Sequence, residues 1–169
     1  MAWLAASTIA LLGRTNVGKS SVLNLITGQD VAITSPVAGT TTDVVEKAME
    51  LLPLGPVLFL DTAGLDDASE LASLRLKKTE KIFDRADVTL LVIEPEVWGN
   101  YEEEVAAEMD KRGIPVIAVI NKIDLHRPSE SFLHDLKAQT PHIVPVSCLD
   151  GERRSFFLDA LTRRLLELA

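Results

Sequence analysis

Short apolar runs alternate with amphipathic stretches along the whole 169-residue chain. This alternation predicts an α/β fold: a mostly parallel six-stranded sheet with one antiparallel edge strand and helices on both faces. Two observations carry the prediction. The runs VLFL, VTLLVI and PVIAVI are apolar on both alternating faces, as strands covered by helices from each side must be. The stretches between them space their apolar residues by three and four, the period of a helix with one buried stripe. The length predicts one domain over residues 1–169, which removes roughly two thirds of its unfolded surface from water.

Each element follows in order. Thr8–Leu12 is predicted as the first strand, and Lys19–Thr27 as the first helix. Val44–Leu51 reads VVEKAMEL, mixed enough for an edge strand with one wet face. LPLGP at 52–56 then turns the chain into Val57–Leu60 as a hairpin. Helices are predicted over Leu71–Asp84, Tyr101–Arg112, Ser129–Ala138 and Glu152–Leu168. Strands are predicted over Val88–Ile93, Pro115–Ile120 and His142–Val146. In the last helix, Phe156, Phe157, Ala160, Leu161, Leu165 and Leu168 are expected to share the core face. No internal repeat, low-complexity tract or linker breaks the order.

The composition narrows the function classes. A net charge of −8 argues against a broad grip on nucleic acid, which needs a basic face. The single cysteine, Cys148, excludes an internal disulfide or a cysteine-only metal cluster within this chain. The reducing cytoplasm is the expected compartment. No apolar run approaches the roughly 20 residues that cross a bilayer, so no membrane partner is expected. The apolar N-terminus has no basic residue ahead of it and leads into a glycine-rich loop, which argues for a strand rather than a signal peptide.

On a doubly wound sheet, ligands bind beyond the carboxyl ends of the strands. Four loops there carry chemistry. GRTNVGKS, residues 13–20, follows the first strand and fits the phosphate-cradling pattern G-x-x-x-x-G-K-[ST]. Its backbone amides and the following helix N-terminus suit an anion, which makes Arg14, Thr15, Asn16, Val17, Gly18, Lys19, Ser20 and Ser21 candidate contacts. Lys19 can reach terminal phosphate oxygens, and the Ser20 hydroxyl is a hard ligand for Mg²⁺. DTAG, residues 61–64, follows the third strand; Asp61 would hold Mg²⁺ through a water and the Gly64 amide would sense the terminal phosphate.

NKID, residues 121–124, follows the fifth strand. The Asp124 carboxylate can accept two hydrogen bonds from the guanine edge, whereas adenine would leave it unpaired. Asn121 would bond the other side of the base, and the Lys122 stem could pack over its face. Ser147 and Cys148 stand after the sixth strand, where a backbone amide could donate to the guanine oxygen. The threonines of GTTTD, residues 39–43, precede the second strand and are candidates for a second Mg²⁺ hydroxyl ligand. Together these loops point to a guanine-nucleotide site that binds GTP and GDP.

The order GRTNVGKS, AGTTTD, DTAG, NKID, SC resembles the TrmE/Era-like P-loop GTPases, which share a Ras-like domain. The resemblance covers essentially the whole chain. More narrowly, VAGTTTD, the hairpin KAMELLPLGP, DTAGLDD and LRLKKTEKIF resemble the GTPase domain of the HydF family, the maturation scaffold of FeFe-hydrogenase. TrmE-type proteins tend to carry arginine at the place of Thr42.

The resemblance implies a GTP hydrolase of slow intrinsic rate. It assigns Thr41 as the Mg²⁺ ligand that closes in the GTP state, and Asn16 as a ligand for an activating K⁺ ion. It places Lys19, Thr41, Gly64 and Asn16 in the catalytic machinery. Leu65 stands where Ras-like enzymes orient water with glutamine, and no motif gives that task to Asp66, Asp67 or Glu70. A HydF-type chain implies maturation proteins and the hydrogenase as partners, with a homodimer possible. It also implies dimerisation and iron–sulfur domains, which these 169 residues do not include. The alternatives are a TrmE- or Era-like GTPase of tRNA modification or ribosome assembly, and a nucleotide-binding scaffold with little turnover.

Overall fold

The computed structural model describes residues 7–14, 17–28, 45–51, 54–61, 80, 83–146 and 154–168. The elements are β1 (Ser7–Gly13), α1 (Lys19–Thr27), β2 (Val45–Leu51), β3 (Gly55–Asp61), β4 (Val88–Ile93), α2 (Asn100–Arg112), β5 (Val116–Ile120), α3 (Glu130–Gln139), β6 (His142–Pro145) and α4 (Arg154–Leu168). The predicted helix over Leu71–Asp84 lies mostly outside the described residues; Phe83–Arg85 form a helical turn at its end.

The strands form one six-stranded sheet in the order β2-β3-β1-β4-β5-β6. β1 pairs in parallel with β3 and β4, β4 with β5, and β5 with β6. The β2–β3 pair is the antiparallel exception, as the hairpin predicts. Glu46, Ala48 and Glu50 of β2 face solvent while Lys47 and Leu51 are buried, so the mixed pattern of this edge strand is an inside–outside alternation.

Two apolar layers sandwich the sheet. On one side, Ile9, Leu11, Phe59, Leu90 and Val119 pack with Val22, Leu23 and Ile26 of α1 and Phe157, Leu161 and Leu165 of α4. On the other, Leu12, Leu91, Ile93, Ala118 and Ile120 pack with Val105 and Met109 of α2, Leu136 of α3 and Phe83. Each of the large aliphatic and aromatic side chains buried here contributes roughly 1.5–3 kcal/mol.

One expectation for α4 fails. Phe156 is 74% exposed, whereas Phe157, Leu161 and Leu165 are buried. The buried set repeats every four residues, and Phe156 lies about 100° around the helix from Phe157. Of the paired phenylalanines, only Phe157 can face the sheet.

The register brings every parallel strand to a common edge. Gly13 pairs with Val92, Leu11 with Asp61, Ile93 with Ile120, and Ile120 with Pro145. The chain order reverses across β1, with α1 packed on one face of the sheet and Phe83, shortly before β4, on the other. The glycine-rich loop leaves the sheet at this switch point, and the chain leaves β3, β5 and β6 along the same edge of the sheet.

Candidate functional site

The glycine-rich loop is fixed at its far end by Gly18. This residue has φ 97° and ψ 29° and caps α1 without a side chain. A Cβ at this place would lie 2.3 Å from Asn121 Nδ2, so glycine is required twice, for its backbone angle and for the approach of Asn121. The first-turn amides of α1 have no side-chain acceptor from the cap. That is the arrangement an anion completes at a helix N-terminus.

Lys19 opens α1 and is 7% exposed. Burial lowers its pKa from the ordinary lysine value to about 8, and the Asp61 charge opposes that shift. Asp61 ends β3 and is 2% exposed. Next to Lys19, Ser20 and Ser21 present exposed side chains on the first turn of α1. One buried carboxylate and one hydroxyl at the same sheet edge fit Mg²⁺, which takes few protein ligands and completes its octahedron with phosphate oxygens and water. Among the described residues no group of three or more His, Cys, Asp or Glu side chains could hold a metal by itself.

Asn121 is 3% exposed at the end of β5. Its Nδ2 donates to the Val17 carbonyl at 3.1 Å, and its Oδ1 is buried without a hydrogen-bond partner among the described residues. The next residues bend sharply: Lys122 has φ 61°, and its carbonyl accepts from the Leu125 and His126 amides. Asp124 lies exposed on this turn. The Ile123 amide reaches the Val146 carbonyl, which sets the turn beside the exit of β6.

The structure therefore brings Val17, Gly18, Lys19, Ser20, Ser21, Asp61, Asn121, Lys122 and Asp124 to one edge. Thr15, Asn16, Thr41, Gly64, Ser147 and Cys148 lie outside the described residues.

Two cations of the site are held by acids that the motifs do not include. Lys122 Nζ contacts Glu94 Oε1 at 2.6 Å. Arg14 Nε lies 3.0 and 2.8 Å from the two carboxylate oxygens of Glu102 in α2. The hydrogen bond to Glu102 raises the pKa of the Arg14 guanidinium further, against the effect of burial. The Arg14 side chain is thus turned to α2, and a nucleotide contact from this residue would come from its backbone. In sequence, Glu102–Glu104 reads as acids placed for the helix dipole. The signal that singles out Glu102 is its place three residues after Gly99, whose amide it also accepts at 3.2 Å.

The family described as 50S ribosome-binding GTPase matches residues 8–122. The chain belongs to this GTPase family. It is 33% identical over 163 residues to the tRNA modification GTPase MnmE of Burkholderia ambifaria, covering 96% of this chain and 34% of that protein. It is 36% identical over 173 residues to GTPase Der of Wolinella succinogenes, covering 95% and 35%. The chain thus spans about a third of the length of these curated relatives. Among solved structures, an Era variant of Aquifex aeolicus bound to GDP and AlF4⁻ superposes with a TM-score of 0.74 at 30% identity, over 98% of this chain and 57% of that one. The Ras-like fold and the TrmE/Era-type GTPase assignment follow, and the relatives named here carry no hydrogenase-maturation description. No helix among the described residues is long and apolar enough to cross a membrane.

Proposed function

We propose that this GTPase domain is a guanine-nucleotide switch that hydrolyses GTP to GDP and phosphate as one part of a longer cytoplasmic protein of the TrmE/Era type. The Asn121–Val17 hydrogen bond carries this reading, because it sets the loop that would hold the base directly against the loop that would hold the phosphates. Lys19 and the first amides of α1 bind the phosphates. Asp61 and Ser20 would hold Mg²⁺, which supplies charge neutralisation on the β- and γ-phosphate oxygens. Asp124 reads the guanine edge, while the buried Asn121 Oδ1 faces an unmet acceptor role that a base-side donor can fill. Catalysis by such a site is mainly positioning and charge stabilisation. Phosphate release from GTP, abolished in Lys19→Ala, tests it; equal release by parent and variant contradicts it.

Asn16, Thr41, Gly64, Ser147 and Cys148 complete the proposal from sequence alone. Asn16 is the proposed K⁺ ligand, so hydrolysis is expected to run faster in KCl than in NaCl, with the difference lost in Asn16→Ala. RNA modification or ribosome assembly is the cellular setting that the relatives' descriptions support. The Era structure with a 16S ribosomal RNA fragment shows RNA on a related protein at 31% identity. With a net charge of −8, RNA binding would belong to parts of the protein beyond this domain.

The HydF reading is kept as a second one on a single observation, the β2–β3 hairpin. Its strands, VEKAMEL and GPVLFLD, carry the segment that resembles that family. Cysteine ligands for an iron–sulfur cluster elsewhere in the full-length protein would favour it, and hydrogenase and maturation proteins would then be the partners.

A further inference from the structure

The segment from Glu94 to Glu102 links β4 to α2 and touches both nucleotide loops without belonging to either. Glu94 holds Lys122 of the base loop at 2.6 Å. Glu96, at φ 66°, accepts from the Ser129 amide and, at 3.0 Å, from the Ser129 hydroxyl, which fixes the start of α3 just beyond the base loop. Glu102 receives Arg14 of the phosphate loop side-on with both oxygens and is 1% exposed. Two carboxylates of this connection and a third from the first turn of α2 thus grip three separate parts of the chain.

The Arg14–Glu102 pair has the features of a built contact. Its partners are 88 residues apart. Glu102 also accepts from the Gly99 amide, so its carboxylate is fixed by its own helix start before Arg14 arrives. A Cβ on Gly99 would lie 2.7 Å from an Arg14 terminal nitrogen, so the absence of a side chain there makes room for the guanidinium. Behind the phosphate loop lies a cavity of about 210 Å³, lined by Arg14, Val17, Val92, Glu94 and Glu102 among others. The ion pair is thus one of the ties on the loop's first turn, beside the bond from the Val17 amide to the Arg14 carbonyl and the bond from Asn121 to the Val17 carbonyl.

We propose that Glu102 is a positioning residue for nucleotide binding: through Arg14 it holds the phosphate loop in its binding shape, and the Glu94–Lys122 contact couples that hold to the base loop. Glu102 touches no nucleotide. Its effect therefore falls on how long nucleotide stays bound. The proposal rests on the assignment of residues 13–20 as the phosphate loop.

The test compares Glu102→Gln, Arg14→Lys and, as a control, Glu108→Gln, which breaks an ion pair with Arg112 on the same helix away from the site. The probe is a fluorescent GDP whose dissociation is followed after excess GDP is added, with melting temperatures measured with and without GDP. Losing a charge-assisted pair whose carboxylate is buried and whose guanidinium is half-exposed is expected to speed dissociation by roughly tenfold in Glu102→Gln, less in Arg14→Lys, and not at all in Glu108→Gln. The KM for GTP is expected to rise more than kcat falls. A folded Glu102→Gln that releases GDP at the parental rate overturns the proposal. So does a loss of folding in both site variants, which makes the pair a stability element only. A parent that binds no GDP removes the phosphate-loop assignment itself, a different result from a parent that binds and a variant that binds equally well.

Discussion

Asn121 and Val17 are 104 residues apart, yet the Asn121 amide donates to the Val17 carbonyl at 3.1 Å in a buried position. The bond joins the two loops that must agree if one nucleotide is to fill both. Removing the amide in Asn121→Ala leaves the Val17 carbonyl buried without its donor, at a cost of about 1–3 kcal/mol. Urea unfolding of the nucleotide-free domain is expected to show that loss, and GDP affinity to fall further than stability alone explains. An unchanged midpoint and an unchanged affinity would mean that the bond does not organise the site.

The lowered pKa of Lys19, about 8, gives a pH signature. Because the shift is downward, the burial cost is fully present below pH 8 and fades as pH rises towards the ordinary lysine value. Bound phosphate favours the charged ammonium, so nucleotide binding near and above pH 8 takes up a proton. Affinity for GDP is therefore expected to be level around neutrality and to fall above pH 8, by up to about tenfold per pH unit. Titrations across that range check it, and Lys19→Ala is expected to bind weakly with no such slope.

Ser20→Ala is expected to weaken GTP binding in the presence of Mg²⁺ far more than in its absence. The exposed hydroxyl on the first turn of α1 is a metal ligand by this account, and Mg²⁺ tolerates little departure from octahedral oxygen geometry. Calorimetric titrations with and without Mg²⁺ separate the two effects. Equal losses would point to a packing change in α1.

Much of this was legible in the sequence because motif and fold share one cause. Runs such as VTLLVI can be buried on both faces only as inner strands, and β4 is buried throughout. Glycine-lysine-serine after such a strand places Lys19 at a helix start, where the structure has it. Contacts between distant charged residues leave no periodic trace. In sequence Arg14 reads as a phosphate-loop contact and Glu102 as an acid at a helix start, and only the packing of α2 beside β1 shows them as a pair. Arg154 is a further case: it donates to the Leu25 and Ile26 carbonyls at the end of α1, a helix cap supplied from another helix. Adjacent phenylalanines 156 and 157 could not be told apart by composition, since only the helix phase decides which is buried.

The central claim is that the site reads guanine through Asp124, exposed on the turn that Lys122 opens beside β6. The most direct measurement is a parallel titration of the parent and Asp124→Asn with GTP, ATP and xanthosine triphosphate. A carboxylate pairs with the two donors of the guanine edge, whereas an amide can donate to the oxygen that xanthine carries there. The account predicts a parent that prefers GTP over both others by at least about 100-fold, and a variant that prefers xanthosine triphosphate. A variant that binds GTP as tightly as the parent does, or a parent that binds ATP equally well, would contradict it.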